Sequence, residues 1–181
     1  IGGPSVYPPM PEDLAKLSYA NNFSWTTSTG RERHRRGMYT FFKRTIPHPN
    51  LMTFDAPDAN VACVMRSVSN TPLQSLLLLN NEAHHEAARA LARRVLHEVP
   101  DEDGARIERL FRLCVARPPE SAERAELLSL LTTGRAKYAS DPAATRALLG
   151  LPSEAAPVPE DAAWTIVARV VLNLDEFLTR E

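Results

Sequence analysis

Apolar residues recur at spacings of three and four from about residue 72 onward, whereas residues 1–71 show little such periodicity. The spacing is typical of helices that bury one face, and it is clearest at Ile107, Leu110 and Phe111. We therefore predict about six helices in the C-terminal part of the chain. Their expected ranges are 72–79, 82–98, 102–116, 120–139, 142–149 and 160–179.

Capping residues mark the ends of several of these helices. Thr71 and Asp141 each precede a proline, a combination with which many helices begin. Asn81 and Asp101 are placed to cap two further helices, and Gly150 is placed to end another. The inward positions of the pattern predict a core that contains Leu76, Leu91, Val95, Ile107, Leu110, Phe111, Leu128, Leu131, Trp164, Val167 and Val171.

The N-terminal 71 residues have a different character. Eight of the fifteen prolines lie in the first 72 residues, where they fix φ and remove backbone donors. The aromatic and β-branched run between Gly37 and Thr45 predicts a short strand. The expected fold class is therefore mainly α, with a helical bundle over 72–181, one or two short strands, and an irregular, proline-rich, basic segment over 1–71 packed on the bundle in a single domain.

Composition and charge exclude some classes of protein. Of the 181 residues, 44% are apolar and 24% are charged, as in globular domains and unlike disordered chains. The 21 basic and 22 acidic residues give a net charge of −1, which offers no argument for a nucleic-acid or membrane partner. No apolar run approaches the length of a membrane span.

The charges are nevertheless unevenly distributed. Residues 1–50 hold seven basic and three acidic residues, whereas residues 151–181 hold two basic and six acidic ones. The densest cluster of cations is Arg31, Arg33, Arg35, Arg36, Lys43 and Arg44. Because Tyr39, Phe41 and Phe42 lie among these cations, one interpretation is a surface that binds phosphate or nucleic acid.

The favoured interpretation is that the basic segment folds back on the protein. The aromatic residues would then fill the core, and the arginines would pair with carboxylates through bidentate hydrogen bonds. We predict that at least one of Arg35 and Arg36 contacts an acidic or backbone acceptor inside the fold. The carboxylates considered for this pairing are Asp55, Asp58, Asp175 and Glu176.

Residues of metal-binding type occur at His48, Asp55, Asp58 and Cys63, but their spacing matches no established zinc or calcium site. The run from Phe54 to Asp58 is more typical of a turn in which Asp55 bonds nearby backbone groups. We therefore expect no metal to be held by this chain.

The two cysteines, Cys63 and Cys114, have neither CxxC nor CxxCH spacing, and we expect two unlinked thiols. The chain also contains no GxSxG, HExxH, P-loop or GxGxxG motif. The sequence therefore carries no signature of a hydrolase, transferase or dehydrogenase.

Nine short segments share their order and character with one known family. They are Gly-Gly-Pro-Ser-Val-Tyr-Pro-Pro (2–9), Arg-Arg-Gly-Met-Tyr-Thr-Phe-Phe-Lys-Arg-Thr (35–45), Thr-Phe-Asp-Ala-Pro-Asp (53–58), Ser-Asn-Thr-Pro-Leu-Gln (69–74), Leu-Leu-Asn (78–80), Glu-Ala-Ala-Arg-Ala-Leu-Ala (86–92), Phe-Arg-Leu-Cys-Val-Ala-Arg-Pro-Pro (111–119), Ala-Ala-Trp-Thr (162–165) and Leu-Asn-Leu-Asp-Glu-Phe-Leu-Thr-Arg-Glu (172–181). Together they resemble the C-terminal part of the planctomycete-specific domain of unknown function.

The resemblance implies a cellular context. That domain typically closes large exported proteins that also carry a planctomycete cytochrome c domain, so we expect a periplasmic or secreted location and other domains of the same polypeptide as partners. The c-type haem would be held by the upstream domain, and no cofactor would be held here. The chain departs from the family at Met65-Arg66, where two arginines are usual, and at Asn81-Glu82, where Asp-Pro is usual.

Two functional hypotheses remain. We expect a domain of unknown function, a fragment of a multidomain exported protein, with a structural or domain-association role. The alternative is part of an exported enzyme that acts on polysaccharide or in electron transfer. That alternative needs polar side chains to converge, and the resemblance implies no catalytic residue. The candidates are Arg35, Arg36, Asp55, Asp58, Arg66 and Asn70.

Overall fold

Most helices begin after a residue whose side chain accepts a hydrogen bond from the backbone of the first turn. The structure is a computed structural model that describes residues 3–11, 13–14, 24–65, 67–99 and 101–179. The mainly α fold class is confirmed. The α-helices whose bounds are described are α1 Pro49–Thr53, α2 Pro72–Asn80, α3 Glu82–Glu98, α4 Asp103–Cys114, α5 Ser121–Ser140, α6 Pro142–Leu149, α7 Pro159–Val171 and α8 Asp175–Leu178. None of these helices is long and apolar enough to cross a lipid bilayer.

Three of the four predicted N-caps are confirmed by hydrogen bonds. Asn81 Oδ1 accepts from Ala83 N–H at 2.9 Å, and Asp141 Oδ1 accepts from Ala144 N–H at 2.9 Å. Thr71 Oγ1 accepts from Gln74 N–H at 3.3 Å. These bonds satisfy backbone donors that the first turn of a helix leaves without a partner.

The cap of α4 differs from the prediction of Asp101. Asp101 adopts a φ of 53°, and the cap is Glu102, whose Oε2 accepts from Ala105 N–H at 2.9 Å. The longer Glu side chain reaches the first turn, whereas the left-handed Asp101 lies one residue too early. The Asp101 carboxylate instead lies 3.8 Å from the Arg106 guanidinium.

The chain forms two compact units, residues 1–77 and 78–181. In the second unit, α7 contacts α3, α4, α5 and α6. Its buried residues occupy almost every side of the helix: Ala162, Ala163, Trp164, Thr165, Val167, Ala168 and Val171. A Cβ at Gly134 of α5 would lie 3.4 Å from the Cα and Cβ of Ala163, so the backbones of these two helices lie close together at this point.

Most of the predicted core is confirmed, and it lies in the second unit. Eight of the predicted residues are buried: Val95, Ile107, Leu110, Phe111, Leu131, Trp164, Val167 and Val171. Leu91 and Leu128 are partly buried against them. The prediction of Leu76 is wrong, because α2 turns Gln74 and Leu78 inward and leaves Leu76 56% exposed. Residues 74 and 78 are one turn apart, whereas residue 76 lies on the opposite side of the helix.

The predicted helix over 160–179 is two helices. α7 ends at Val171, the chain turns through residues 172–174, and Leu174 takes the extended conformation (ψ 145°) from which α8 begins. The break redirects α8 so that Glu176 meets Arg117, with Arg117 Nη2 and Glu176 Oε2 2.7 Å apart.

The first unit is irregular, as its prolines predict, but the predicted strand is wrong. Residues 30–34 and 37–39 form two short 3₁₀ helices, and Thr40 makes an isolated parallel bridge to Val6. Phe41 stacks on Tyr7 with ring centroids 5.1 Å apart, and Trp25 meets the edge of Tyr7 at 5.2 Å. The aromatic residues therefore fill a local cluster, and the segment 37–45 does not extend a sheet.

Removing the Phe111 side chain is expected to destabilise the second unit strongly. Phe111→Ala should lower the free energy of unfolding by about 3–5 kcal/mol, because it leaves a cavity in a fully buried position. The matched control is Phe177→Ala, which deletes the same atoms at a partly exposed position and should cost about 1 kcal/mol. Thermal melts in which the two variants lose equal stability would contradict the assigned core.

Candidate functional site

The carboxylate of Asp55 joins two separated parts of the first unit. Asp55 Oδ2 accepts hydrogen bonds from Ser69 N–H at 2.9 Å and from the Ser69 hydroxyl at 2.7 Å. Asp55 has a φ of 55°, a conformation that Asp tolerates better than most residues. The turn predicted at Asp55 is therefore present, but its side chain bonds residue 69 and closes a long loop.

Gln74 completes this arrangement from the first turn of α2. Its buried side chain donates from Nε2 to Thr53 O at 2.9 Å and to Ser69 Oγ at 3.1 Å. Its Oε1 accepts from Thr71 N–H at 2.9 Å. We call these five residues, Thr53, Asp55, Ser69, Thr71 and Gln74, the clasp. The Ser69 hydroxyl therefore donates one hydrogen bond to Asp55 and accepts one from Gln74.

The clasp was missed by the sequence analysis, although one signal could have found part of it. Thr71 and Gln74 have the S/T-x-x-E/Q spacing of a capping box, in which each side chain bonds the other residue's backbone N–H. The contact between Asp55 and Ser69 depends on how the intervening loop returns, and no local pattern encodes it.

The hydrogen bonds around Asp55 and Asp58 favour the ionised form of each carboxylate. Hydrogen bonds from the Ser69 hydroxyl and N–H lower the pKa of Asp55 below its ordinary value. The N–H and side-chain amide of Asn60 likewise lower the pKa of Asp58, whose carboxylate accepts from both at 3.0 and 2.9 Å. A general acid needs a raised pKa, so the two carboxylates are suited to accepting structural hydrogen bonds.

Arg35 confirms the prediction that one of the paired arginines contacts an internal acceptor. Its Nη1 donates to Pro4 O at 2.8 Å, and its Nε lies 3.1 Å from Glu32 Oε2, with only 10% of the side chain exposed. The guanidinium groups of Arg35 and Arg36 lie 5.1 and 5.8 Å from the centre of the Tyr39 ring. A Cβ at position 3 would overlap the Arg35 guanidinium, so Gly3 makes room for it.

Two of the candidate residues, Arg35 and Asp55, have different hydrogen-bond partners. Arg35 bonds residues 4 and 32, and Asp55 bonds residue 69, which directly precedes Asn70. Arg66 lies outside the described residues. Among the carboxylates considered as partners of the basic segment, Asp55 binds Ser69 and Glu176 binds Arg117.

The residues considered as metal ligands have structural contacts. Burial lowers the pKa of His48, whose Nδ1 accepts from Asn50 N–H at 3.3 Å and whose Nε2 lies 3.0 Å from Pro9 O. His48 therefore caps α1 and links it to the N-terminal segment. Within the described residues, no group of three His, Cys, Asp or Glu side chains is arranged to hold a metal ion.

Both cysteines are free thiols, as predicted. Cys63 is exposed, and its Sγ donates to Met65 O at 3.3 Å. Cys114 is half-buried among apolar residues, and burial raises its pKa to about 11. Since the thiolate is the reactive form, Cys114 is an unreactive core residue.

The densest polar cluster of the second unit was not predicted. Arg135 of α5 donates two hydrogen bonds to Asp103 at 2.6 and 2.8 Å and two to Glu160 at 2.8 and 2.5 Å. Glu160 Oε1 also accepts from Trp164 Nε1–H at 2.9 Å. Arg106 lies 3.7 Å from Asp103 and 5.9 Å from the centre of the Trp164 ring. We call these five residues the Arg135 network; it ties α4, α5 and α7 together.

The charge of Arg135 is compensated by the carboxylates of Asp103 and Glu160. Hydrogen bonds from Arg135 lower the pKa values of Asp103 and Glu160, and their carboxylates raise the pKa of Arg135. All three groups therefore stay charged over a wide pH range. A functional acid or base would need one of these groups to titrate near neutral pH, so the network is suited to holding helices together.

A second arginine joins the start of α5 to α8. Arg117 donates to both oxygens of Glu123 at 2.8 Å and from Nε to Glu176 Oε2 at 2.9 Å. These bonds lower the pKa of Glu123 to about 2. Glu123 Oε2 also accepts from Glu120 N–H at 2.7 Å, so one carboxylate satisfies both Arg117 and the first turn of α5.

A comparison with known proteins identifies the family. Residues 1–131 match the model of PSD1, described as a protein of unknown function (DUF1553), and this match covers the clasp and most of the helical pattern. The chain belongs to the PSD1 family. No curated protein and no solved structure gave a significant match. The PSD1 match ends inside α5, before α6, α7 and α8 begin.

The hydrogen bonds of the clasp predict a specific titration in this PSD1 chain. The pKa of Asp55 is lower in the folded protein than the ordinary Asp value of about 4. The contribution of Asp55 to folding stability is therefore complete above about pH 4, and it is lost as the pH falls through the pKa of the folded state. Ser69→Ala removes the hydroxyl donor and should raise the Asp55 pKa toward its ordinary value. Carboxyl NMR titrations should show this change, with Asp58 as the unchanged internal control. An Asp55 pKa equal in both proteins would contradict the clasp.

Breaking the Arg135 network is expected to cost more than breaking an exposed ion pair. Arg135→Met strands Asp103 and Glu160, so urea unfolding should show a loss of about 1–3 kcal/mol. Arg112→Met is the control, since Arg112 forms an exposed ion pair with Glu108 on the surface of α4, and should cost no more than about 0.5 kcal/mol. Equal losses of stability in the two variants would contradict a structural role for the Arg135 network.

Proposed function

We propose that this chain is a domain-association module, which forms the C-terminal part of a multidomain exported protein and contacts other domains of the same polypeptide. The observation that carries the proposal is the distribution of exposed large apolar residues. Among the residues that the structure describes, eight of the eleven lie in the first unit: Met38, Met52, Val61, Val64, Met65, Val68, Leu73 and Leu76. Apolar residues concentrated in one part of a surface mark an interaction site more often than scattered ones do.

The use of the polar side chains supports association over catalysis. Arg35 donates a hydrogen bond to a backbone carbonyl, and Asp55 and Asp58 each accept one from a backbone N–H group. Their pKa directions, where shifted, favour the charged forms expected of structural groups. Under this proposal, the exposed apolar residues contact the other domains and the polar residues stabilise the fold.

The resemblance described above supports the wider context of the proposal. As the resemblance implies, a planctomycete cytochrome c domain would lie upstream in the same polypeptide and hold the c-type haem; the present sequence contains no CxxCH motif. The protein would then work in the periplasm or outside the cell, where c-type haem is attached. This chain itself would bind no cofactor and no nucleic acid.

Association predicts that the chain is more stable within its complete polypeptide than alone. Each kcal/mol of coupling raises the melting temperature of a domain of this size by about 2–4 °C. We expect the melting temperature of residues 1–181 to be at least about 3 °C higher in the complete polypeptide than in the chain alone. Pulse proteolysis at increasing temperatures, read on peptides from residues 1–181, measures this difference. Residues 1–181 fused to an unrelated domain provide the control, which should melt like the chain alone. Equal melting temperatures in the complete polypeptide and the control would exclude the proposed association.

A further inference from the structure

His48 joins the N-terminal segment of the first unit, residues 3–11, to α1. The residue is 2% exposed, and its two ring nitrogens contact different parts of the chain. Nδ1 accepts from Asn50 N–H at 3.3 Å and so caps α1, and Nε2 lies 3.0 Å from Pro9 O. The Trp25 ring packs against the imidazole with centroids 5.7 Å apart, and Trp25 Nε1–H donates to Pro8 O at 2.8 Å. We call these five residues the latch.

The two partners of the His48 ring determine its protonation state. Pro9 O can only accept a hydrogen bond, so Nε2 carries the proton of this bond. Asn50 N–H can only donate, so Nδ1 carries a lone pair and no proton. The closed latch therefore contains neutral imidazole in its Nε2–H tautomer. A proton added at Nδ1 would face the Asn50 N–H and would place a charge on a buried ring.

The described contacts of the His48 ring include no charged side chain that could compensate this charge. Burial lowers the pKa of His48, and the hydrogen bond to Pro9 O opposes this change. Asp55 is bound to Ser69. The described titratable side chains on the elements around the latch, none of them a described contact of the ring, are Tyr7 and Asp13 on the N-terminal side, Lys43 and Arg44 before α1, and Asp55 after it.

We propose that the latch is a pH-sensitive device, which is closed while His48 is neutral and opens when Nδ1 takes up a proton. On opening, the imidazole leaves its buried position for solvent, and α1 loses its N-cap. Pro9 loses the hydrogen bond that joins it to α1. A helix of five residues has little stability of its own, so the loss of its cap loosens α1. This inference goes beyond the association role and does not depend on it.

Opening of the latch would reach the clasp through α1. This helix ends at Thr53, whose carbonyl accepts from Gln74 Nε2 at 2.9 Å. A loosened α1 therefore holds one of the clasp's acceptors less firmly. The carboxylate of Asp55 stays ionised in mild acid, because its hydrogen bonds with Ser69 hold its pKa below the ordinary value. The latch therefore responds to mild acid first, and the carboxylate of the clasp responds only at lower pH.

Acid should open the latch below the ordinary histidine pKa of 6.5. Above that value, His48 is neutral in both the open and the closed form, so the closed form has its full stability. Below it, the open form takes up a proton more readily than the closed form does. The ratio of open to closed latch should then rise by up to about tenfold for each pH unit, until the pH reaches the pKa of the closed form.

The two tryptophans allow a direct test by NMR on the chain of residues 1–181, between about pH 7.5 and about pH 5. The His48 ring nitrogens should show the Nε2–H tautomer at the higher pH and a pKa below 6.5. The Trp25 Nε1–H signal should change with the same midpoint, because its acceptor Pro8 O belongs to the latch. Trp164 is the internal control, and its Nε1–H signal should stay unchanged, because Trp164 bonds Glu160 in the second unit.

Two variants test whether His48 itself causes the change. His48→Asn keeps a side-chain oxygen that can cap α1, and this side chain cannot take up a proton in the same range. The Trp25 signal should therefore become independent of pH. His34→Asn replaces an exposed histidine of the same unit and should leave the pH dependence of Trp25 as it is in the parent chain.

Several results would overturn the inference. A His48 pKa at or above 6.5, or the Nδ1–H tautomer, would do so in the parent chain alone, even if His48→Asn failed to fold. Protonation of His48 that leaves the Trp25 signal unchanged would show that the latch does not open. A pH dependence of Trp25 that persists in His48→Asn, or disappears in His34→Asn, would assign it to another group. A Trp164 signal that changes together with Trp25 would assign the transition to global unfolding.

Discussion

Helix α7 is enclosed by α3, α4, α5 and α6, and the second unit is organised by the need to bury it. Its small residues, such as Ala163 opposite Gly134, let neighbouring helices approach, and Trp164 fills the space between them. Burial of each large apolar side chain stabilises the fold by about 1.5–3 kcal/mol. The Arg135 network then fixes the N-terminal turn of α7, where Glu160 would otherwise be a charge near the core. The PSD1 match ends before α7, yet the helices inside the match need α7 to cover their apolar faces.

The two units use their polar and apolar residues in opposite ways. In the second unit, apolar residues are enclosed and charged residues form satisfied networks around Arg135 and Arg117. In the first unit, polar residues form the clasp, and several apolar residues remain exposed. A unit that leaves apolar surface exposed while satisfying its polar groups internally is prepared for a contact that excludes water. This contrast is the structural basis of the proposed association role.

The sequence predicts features that depend on residues close together in the chain. It does not predict features that depend on contacts between residues far apart in the chain. Caps at Asn81 and Asp141 and the stripe through Phe111 follow from local spacing, so helix positions and most of the core were predictable. The run Leu76–Leu79 is apolar on all sides, so its pattern could not show which leucine faces inward. The strand expected near Thr40 failed because tertiary contacts of Phe41 with Tyr7 override β propensity. The pairs Asp55–Ser69 and Arg135–Asp103 join residues far apart in sequence, and no local signal predicts them.

Native-state hydrogen exchange on the chain of residues 1–181 tests the division between an enclosed helix and an open loop most directly. The account predicts that amides of α7 exchange slowest, at rates set by global unfolding, together with amides of α3 and α5 that pack on it. It predicts that amides of residues 61–65 and 67–68 exchange at rates close to those of an unfolded chain. Rapid exchange in α7, or strong protection of residues 61–65 and 67–68 in the isolated chain, would contradict this division.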